Sequence, residues 1–305
     1  MNDVKPEETR CGYVAIIGAP NAGKSTLVNC MVGAKVSIVS RKVQTTRNRI
    51  LGIFVEDQTQ IVLMDTPGLF QPSTRLERAM VSAAWGSTEE ADLTLYLFDV
   101  GRTFPNDRDL ALLSKLKAQN VKKVWLVLNK GDTVPPQKFL ELSAKLNAEY
   151  NFEQTFMISA INGKGVKDLI KQVIKILPAG PWLFAEDQMT DLPMRLLAAE
   201  ITREKIFDQL HEELPYAITV QTENWEQFDN GDIKIRQIIH VERDSQKGIV
   251  VGKGGAQLKK IGSAARKELQ DITETKVHLN LFVRVSEKWH DNPEYYSEWG
   301  LDHDA

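Results

Sequence analysis

YVAIIGAPNAGKS, residues 13–25, sets an apolar run against a glycine-bracketed loop that ends in Gly-Lys-Ser. An apolar stretch of that length reads as a buried strand. The loop GAPNAGKS at 18–25 matches GxxxxGKS, which binds phosphates when it lies between a strand and a helix. Gly18 and Gly23 let the backbone wrap so that several N–H groups point inward. Lys24 then reaches terminal phosphates, and the Ser25 hydroxyl suits Mg²⁺, a hard ion that takes oxygen ligands. The candidate phosphate-binding residues are Gly18, Ala19, Pro20, Asn21, Ala22, Gly23, Lys24, Ser25 and Thr26. The competing reading, a plain glycine turn before a helix, is disfavoured by the strand-loop-helix context.

The pattern outward from this loop is alternating. Apolar runs recur at 60–65, 93–99, 123–129 and 155–159, with helix-length segments such as 106–119 and 136–149 between them. In VKDLIKQVIKIL (166–177), Val166, Leu169, Ile170, Val173, Ile174 and Leu177 fall on one helical stripe. Strands alternating with helices predict an α/β domain, a mostly parallel sheet covered on both faces. Its ligands belong at the carboxyl ends of the strands. LPAGPWLFAEDQMTDLP (177–193) has three prolines and no period, and reads as an ordered linker. A different pattern follows: a helix over 194–213, strands at 216–223 and 232–242, a short helix near 245–250, a longer helix, and a last alternating strand, KVHLNLFVRV. That order is α-β-β-α-α-β. The expected boundaries are a first domain at 11–177, a linker at 178–193, an α+β domain at 194–290 and an acidic tail at 291–305. The tail is read as a solvated terminus.

Composition narrows the function classes. The 305 residues are 42% hydrophobic and 26% charged, with a net charge of −3. The molecule as a whole is therefore no electrostatic nucleic-acid binder, and any such role needs a local patch. Two cysteines without a CxxC pair give no disulfide frame or zinc site and fit a reducing compartment. The five histidines form no HExxH. No apolar run reaches ~18 residues, so no membrane-spanning helix is expected. The start MNDVKPEETR is too polar for a signal peptide.

LNKGD at 128–132 chooses the base. Asn129 can meet the O6/N7 edge of guanine, and the Asp132 carboxylate can accept from guanine N1–H and N2–H₂. Adenine lacks that donor pair and would leave a charged acceptor unpaired. Lys130 is expected along the base and the phosphate loop, and Ser159 and Ala160 beside guanine O6. DTPG at 65–68 ends another strand. Asp65 can hold Mg²⁺ through water, and the amide of Gly68 can sense a γ-phosphate. Thr45, Thr46, Asp65, Thr66, Pro67 and Gly68 are the candidate γ-phosphate switch residues. Of the two threonines in QTTR, Thr46 is favoured as the metal-facing one. A polar, basic loop is an equally good local reading of SRKVQTTRNR.

These motifs resemble the Ras-like GTPase superfamily over residues 11–177, and so imply GTP and GDP with Mg²⁺. One position departs from it. Ras-type enzymes follow DxxG with a glutamine that orients water, and here Leu69 stands there. Asn21 offers another device. Its position resembles that of GTPases whose phosphate-loop asparagine helps bind potassium where an arginine finger would otherwise sit. An ordinary turn residue is the competing reading.

A second glycine loop, IVVGKGGAQLKKIG (249–262), lacks the GK[ST] ending, and no guanine-reading motif follows it. Gly252 and Gly255 frame GxxG between two helices, which resembles the KH domain, where such a loop clamps about four nucleotides of single-stranded RNA. Residues 245–270 carry six basic residues against one acid, the local patch that the net charge required. The candidate RNA-binding residues are Gly252, Lys253, Gly254, Gly255, Lys259 and Lys260; Ile249, Val250 and Val251 could line a groove for bases, although much of that run must also be core. Lys259 and Lys260 read equally well as a solvated helix face. The element order matches the type II KH arrangement.

SRKVQTTRNRILGI (40–53), MDTPGLF (64–70), DLPMRLLAAEITREKIFDQLHEELPYAITV (191–220) and VHLNLFVRVSEKW (277–289) resemble the Era family of bacterial GTPases. The resemblance covers nearly the whole chain. It implies a GTPase that binds small-subunit ribosomal RNA near its 3′ end and acts in 30S assembly. It also implies a cytoplasmic location with peripheral contact at the inner membrane, and no DNA partner. A constitutive RNA-binding scaffold with a structural GTPase domain is the alternative. A nucleotide kinase is disfavoured by NKGD and by the lack of a lid-like arginine cluster.

Overall fold

The structure is a computed structural model that describes residues 9–40, 42, 45–210 and 214–304. The polar start of the chain (1–8), part of the basic loop at 41–44 and the expected helix end at 211–213 lie outside the described residues. Two compact units are present. The first comprises residues up to Ser37, Thr46–Asp191 and Trp299–Ala305. The second comprises Ile38–Thr45 and Leu192–Glu298.

The first unit is built on a six-stranded sheet of order β2-β3-β1-β4-β5-β6. The strands are β1 (Arg10–Ile17), β2 (Ile50–Glu56), β3 (Thr59–Asp65), β4 (Leu93–Asp99), β5 (Val124–Asn129) and β6 (Gln154–Met157). All pairings are parallel except β2 with β3. The sequence reading did not anticipate β2. It is joined to β3 by Asp57 and Gln58, both at positive φ (46° and 58°). A two-residue hairpin needs that conformation but usually announces it with Gly or Asn. Helices α1 (Lys24–Val32), α2 (Arg75–Glu90), α3 (Asp107–Ala118), α4 (Pro136–Glu149) and α5 (Val166–Ile176) cover both faces. Alternation along β4 feeds both cores: Leu95 and Leu97 pack with Leu27, Val127 and Leu169, whereas Tyr96 and Phe98 pack with Trp85, Leu126 and Phe139. Cutting a fully buried leucine such as Leu126 to alanine should cost about 2–5 kcal/mol.

The proline-rich stretch after α5 is tied to the sheet by hydrogen bonds. Buried Gln60 accepts from the Leu183 and Phe184 amides (2.8 and 3.0 Å) and donates to the Phe184 carbonyl (2.9 Å). The Leu51 amide donates to Asp191 at 2.9 Å.

The second unit has the order α6 (Met194–Gln209), β7 (Thr219–Gln227), β8 (Ile233–Val241), α7 (Asp244–Val251), α8 (Ala256–Thr273) and β9 (Val277–Val285). Its sheet runs β7-β8-β9, with β7 antiparallel and β9 parallel to the central strand. Helix α8 buries Ile261, Ala265 and Leu269 at helical spacing. Along β9, Leu281, Val283 and Val285 pack on the core, while His278, Asn280, Phe282 and Arg284 are exposed.

The acid-rich end differs from the solvated tail that was expected. Trp289 is buried and donates its indole N–H to the Ala217 carbonyl (3.0 Å). A short helix, α9 (Pro293–Glu298), follows, with Tyr295 against His240 at 5.8 Å and Tyr296 buried. Leu301 is buried too. The acids set the composition, but burying these rings and the leucine outweighs it, since a buried aromatic removes 150–250 Å² from water.

Candidate nucleotide and nucleic-acid sites

Residues 18–23 join β1 to α1 at the carboxyl end of the sheet. Both glycines are there because side chains do not fit. A Cβ on Gly18 (φ 151°) would lie 2.3 Å from the Leu97 carbonyl oxygen, and one on Gly23 (φ 96°) 2.4 Å from Asn129 Nδ2. Exposed Asn21 sits at φ 62°, a left-handed conformation that asparagine tolerates. Ala19 and Ala22 are buried and Pro20 is half-buried. Thr26 lies in the first turn of α1, whose free N–H groups and dipole suit an anion. Buried Lys24 donates to the Gly18 and Ala19 carbonyls (3.3 and 3.2 Å), and loss of hydration lowers its pKa to about 8.

Oxygen atoms converge beside the loop. Ser25 Oγ donates to Asp65 Oδ2 at 2.7 Å and lies 3.0 Å from Thr46 Oγ1. Ser37 Oγ also donates to Asp65 Oδ2, at 2.6 Å. Asp65 is fully buried, its pKa is raised by burial, and its Oδ1 has no hydrogen-bond partner among the described residues. A buried carboxylate oxygen left over beside two hydroxyls fits a hard divalent cation. Ser37 was not foreseen, because its role comes only from the return of the chain to β3. Thr45 is separated from this cluster: its hydroxyl donates to the Lys42 carbonyl (2.9 Å), and it belongs to the second unit. Thr66 is buried with its hydroxyl given to the Ile16 carbonyl (2.7 Å), so its side chain serves the fold. Pro67 and Gly68 are buried, and a Cβ on Gly68 would lie 2.8 Å from Pro20. Leu69 is 1% exposed in the core with Ile17, Trp85 and Tyr96. Its amide donates to the Gly18 carbonyl at 2.9 Å, but its side chain carries no group that could hold water.

The NKGD segment is braced against the phosphate loop. Asn129 donates to the Ala22 carbonyl (2.8 Å) and accepts from the Ala160 amide (3.0 Å). Its amide therefore ties two loops together, a role beyond meeting the base edge. Ser159 Oγ donates to Asp132 Oδ1 at 2.5 Å and so aims that carboxylate. Lys130, at φ 66°, pairs with Asp99 at 2.7 Å. Asp99, which closes β4, was not among the expected residues, although an acid ending a parallel strand was a readable signal.

In the second unit, α7 stops at Val251 and α8 starts at Ala256. Gly252, Gly254 and Gly255 all have positive φ (71°, 60° and 80°). A Cβ on Gly252 would meet Gln257 at 2.6 Å, but Gly254 and Gly255 have open space. Lys253 is exposed. A groove of about 410 Å³ runs from Gly255 between α8 and β9. Val250, in the run expected to be largely core, is fully buried, and the apolar wall of the groove is made by Leu258, Leu279 and Leu281. Lys259 and Arg266 line the groove, whereas Lys260 is an exposed residue of α8 outside its lining. Asn280 and half-exposed Phe282 complete it, with the Arg236 guanidinium 4.6 Å from the Phe282 ring. Asn280 and Phe282 were not among the expected residues, since only strand alternation marked them as outward-facing, and Arg266 was counted only as part of the basic patch.

Comparison with known proteins agrees with this geometry. A family described as 50S ribosome-binding GTPase matches residues 13–130, and the KH domain family matches residues 213–290. GTPase Era of Brucella suis biovar 1 is 56% identical over 300 residues, which cover 98% of this chain and 96% of that protein. GTPase Era of Rhizobium meliloti is 56% identical over 294 residues, 96% of this chain and 93% of that one. A crystal structure of Era with MgGDPNP and nucleotides 1506–1542 of 16S ribosomal RNA superposes with a TM-score of 0.90 at 39% identity, covering 96% of this chain and 99% of that one. An Era variant of Aquifex aeolicus bound to GDP·AlF₄⁻ gives the same score, identity and coverage. Sharing more than half of its residues with curated relatives along nearly its whole length, the chain belongs to the Era family of GTPases.

Proposed function

We propose that this protein is a GTP-hydrolysing switch that binds small-subunit ribosomal RNA near its 3′ end through its KH domain and assists assembly of the 30S subunit. The observation that carries the reading is the pairing, in one chain, of a braced phosphate loop tied to NKGD with an open glycine loop that leads into a groove. The solved relative holds a GTP analogue and the 3′ region of 16S ribosomal RNA together. Residues 11–177 serve as the GTPase domain, 178–193 as a linker and 194–290 as the RNA-binding domain.

Each residue has a task in this reading. Asp132, aimed by Ser159, accepts from the N1–H and N2–H₂ of guanine, and Ala160 lies beside O6. Asn129 links base recognition to the phosphate loop. The loop amides and Lys24 hold the phosphates where charge develops during transfer. Asp65, Ser25 and Thr46 would hold Mg²⁺, which when bound neutralises charge on the β- and γ-phosphates. Thr46 and Gly68 are ordered by the γ-phosphate and released after hydrolysis. Leu69 cannot orient water, so turnover is slow, and Asn21 would help hold a potassium ion that supplies positive charge to the transferring phosphate. Among the described residues no helix is long and apolar enough to cross a membrane. The proposed location is the cytoplasm, with peripheral contact at the inner membrane.

RNA crosslinked to the protein in growing cells should map to the 3′ end of small-subunit ribosomal RNA, and reads spread evenly along it would refute the proposal. Replacing sodium by potassium should raise hydrolysis, and Asn21→Ala should remove that response while GTP still binds. The buried Leu69 favours one second reading, a scaffold whose GTPase domain is mainly structural. Equal RNA affinity with GDP and with a GTP analogue would select it.

A further inference from the structure

The last residues of the chain belong to the first unit and touch the flanks of both candidate switch loops. The Trp299 ring lies 5.7 Å from the guanidinium of Arg47, which is buried and immediately follows Thr46. His303 Nε2 lies 3.0 Å from Arg75 Nη1. Arg75 opens α2, just beyond the DTPG loop. Arg75 Nη1 also lies 3.5 Å from His303 Nδ1, so the guanidinium meets the imidazole across both ring nitrogens, and Nδ1 lies 3.2 Å from Asp304 Oδ1. Between the contacts, Gly300 turns the chain at φ 62° and Leu301 is buried. The preceding helix, α9, is fixed separately within the second unit, by Tyr295 on His240 and by Gln221 donating to Glu298 at 3.1 Å. An indole face and an imidazole ring thus hold two arginines that bracket the Asp65 oxygen cluster along the chain.

We propose that Trp299 and His303 are positioning residues for GTP hydrolysis, and that the segment Trp299–Asp304 holds the two loops that sense the γ-phosphate. This rests on the GTPase reading above. Neither side chain touches the oxygen cluster. They act through Arg47 on the backbone that presents Thr46, and through Arg75 on the end of the loop that carries Gly68. A ligand with a γ-phosphate needs both loops in place, whereas GDP does not. The effect therefore falls on the preference for the triphosphate rather than on nucleotide binding in general.

The test uses the full-length chain with Mg²⁺ and compares dissociation constants for GDPNP and GDP. Trp299→Ala should weaken GDPNP binding by about fivefold, the size of a partly desolvated cation–π contact, and leave GDP within about twofold. Trp299→Phe, which keeps an aromatic face, should recover part of the loss. His303→Ala should act in the same direction and add to the loss in the double variant, and KM for GTP should rise in step while kcat falls, because slow turnover makes KM follow the dissociation constant. A double variant that melts like wild type and keeps both constants and kcat within about twofold would overturn the proposal. If Trp299→Ala fails to fold, Trp299→Phe with His303→Gln decides, because an unchanged GDPNP-to-GDP preference there also overturns it. Wild-type protein that binds an ATP analogue as tightly as GDPNP would instead break the GTPase reading itself.

Discussion

Gly18 and Gly23 in the first loop face walls, whereas Gly254 and Gly255 in the second face open space. Lys24 is buried and hydrogen-bonded within its loop, whereas Lys253 is exposed. The first loop is also braced from outside, through Asn129 to Ala22 and through the Leu69 amide to the Gly18 carbonyl (2.9 Å). The second is held mainly by the two helices it joins. Two loops of similar composition therefore use glycine partly for different reasons. In the first, the glycines are required by the loop's own neighbours, as Gly252 is in the second, whereas Gly254 and Gly255 leave space that suits the close approach of a polymer backbone.

The sharpest way to break the contrast is to add one methyl group to each loop. Gly23→Ala puts a Cβ 2.4 Å from Asn129 at φ 96°, so the brace must move. GTP affinity measured by titration should fall by about a hundredfold or more, since displacement of about an ångström costs that much in such sites. Asp132→Asn should lower affinity for GTP by roughly a hundredfold and favour XTP, because xanthine offers an acceptor where guanine has donors. Matching GTP/XTP competition curves for variant and wild type would contradict that assignment.

In the second loop, Lys253→Asp together with Gly254→Asp should weaken RNA binding by tens of fold. The slope of log affinity against log salt should become shallower by about 0.7 for each phosphate that the loop no longer neutralises. Basal hydrolysis without RNA should stay near wild type. Burial also gives the first loop a pH response. Lys24 titrates at about 8 in the free protein because it is desolvated, and the phosphates need its charge. Raising the pH from 7 to 8.5 removes that charge and should weaken GTP binding by about fourfold, with protons taken up on binding. Calorimetry in two buffers of different ionisation enthalpy reads the uptake. The smallest effect is expected for Gly254→Ala. No atom lies within 4 Å of its Cβ, and only the left-handed φ of 60° opposes it. The cost should be about 1 kcal/mol of stability in thermal melts, with the fold intact.

The nucleotide site was legible because its motifs are local. GAPNAGKS, DTPG and NKGD each sit at the end of a strand whose apolar run is plain in the sequence. The groove beside the second loop was half legible. Its glycine loop is a contiguous motif, but Arg266, Asn280 and Phe282 come together only when α8 packs along β9. Ser37 carried no local mark, because only the return of the chain to β3 brings it to Asp65.

By itself the sequence determined the alternation of most strands and helices, the choice of guanine and the presence of two glycine loops with different endings. These follow from periodicity and from chemistry carried within a few residues. Tertiary structure alone decided that Thr46 and not Thr45 joins the oxygen cluster, that Leu69 is core, and that Asn129 spends its amide bracing two loops. It also decided the fate of the acidic end, where Trp289, Tyr295, Tyr296 and Leu301 are buried among residues whose composition reads as solvated. The reason is common to all four. Which polar atoms find partners, and which apolar groups leave water, depends on what distant segments place beside them, and no window along the chain contains that information.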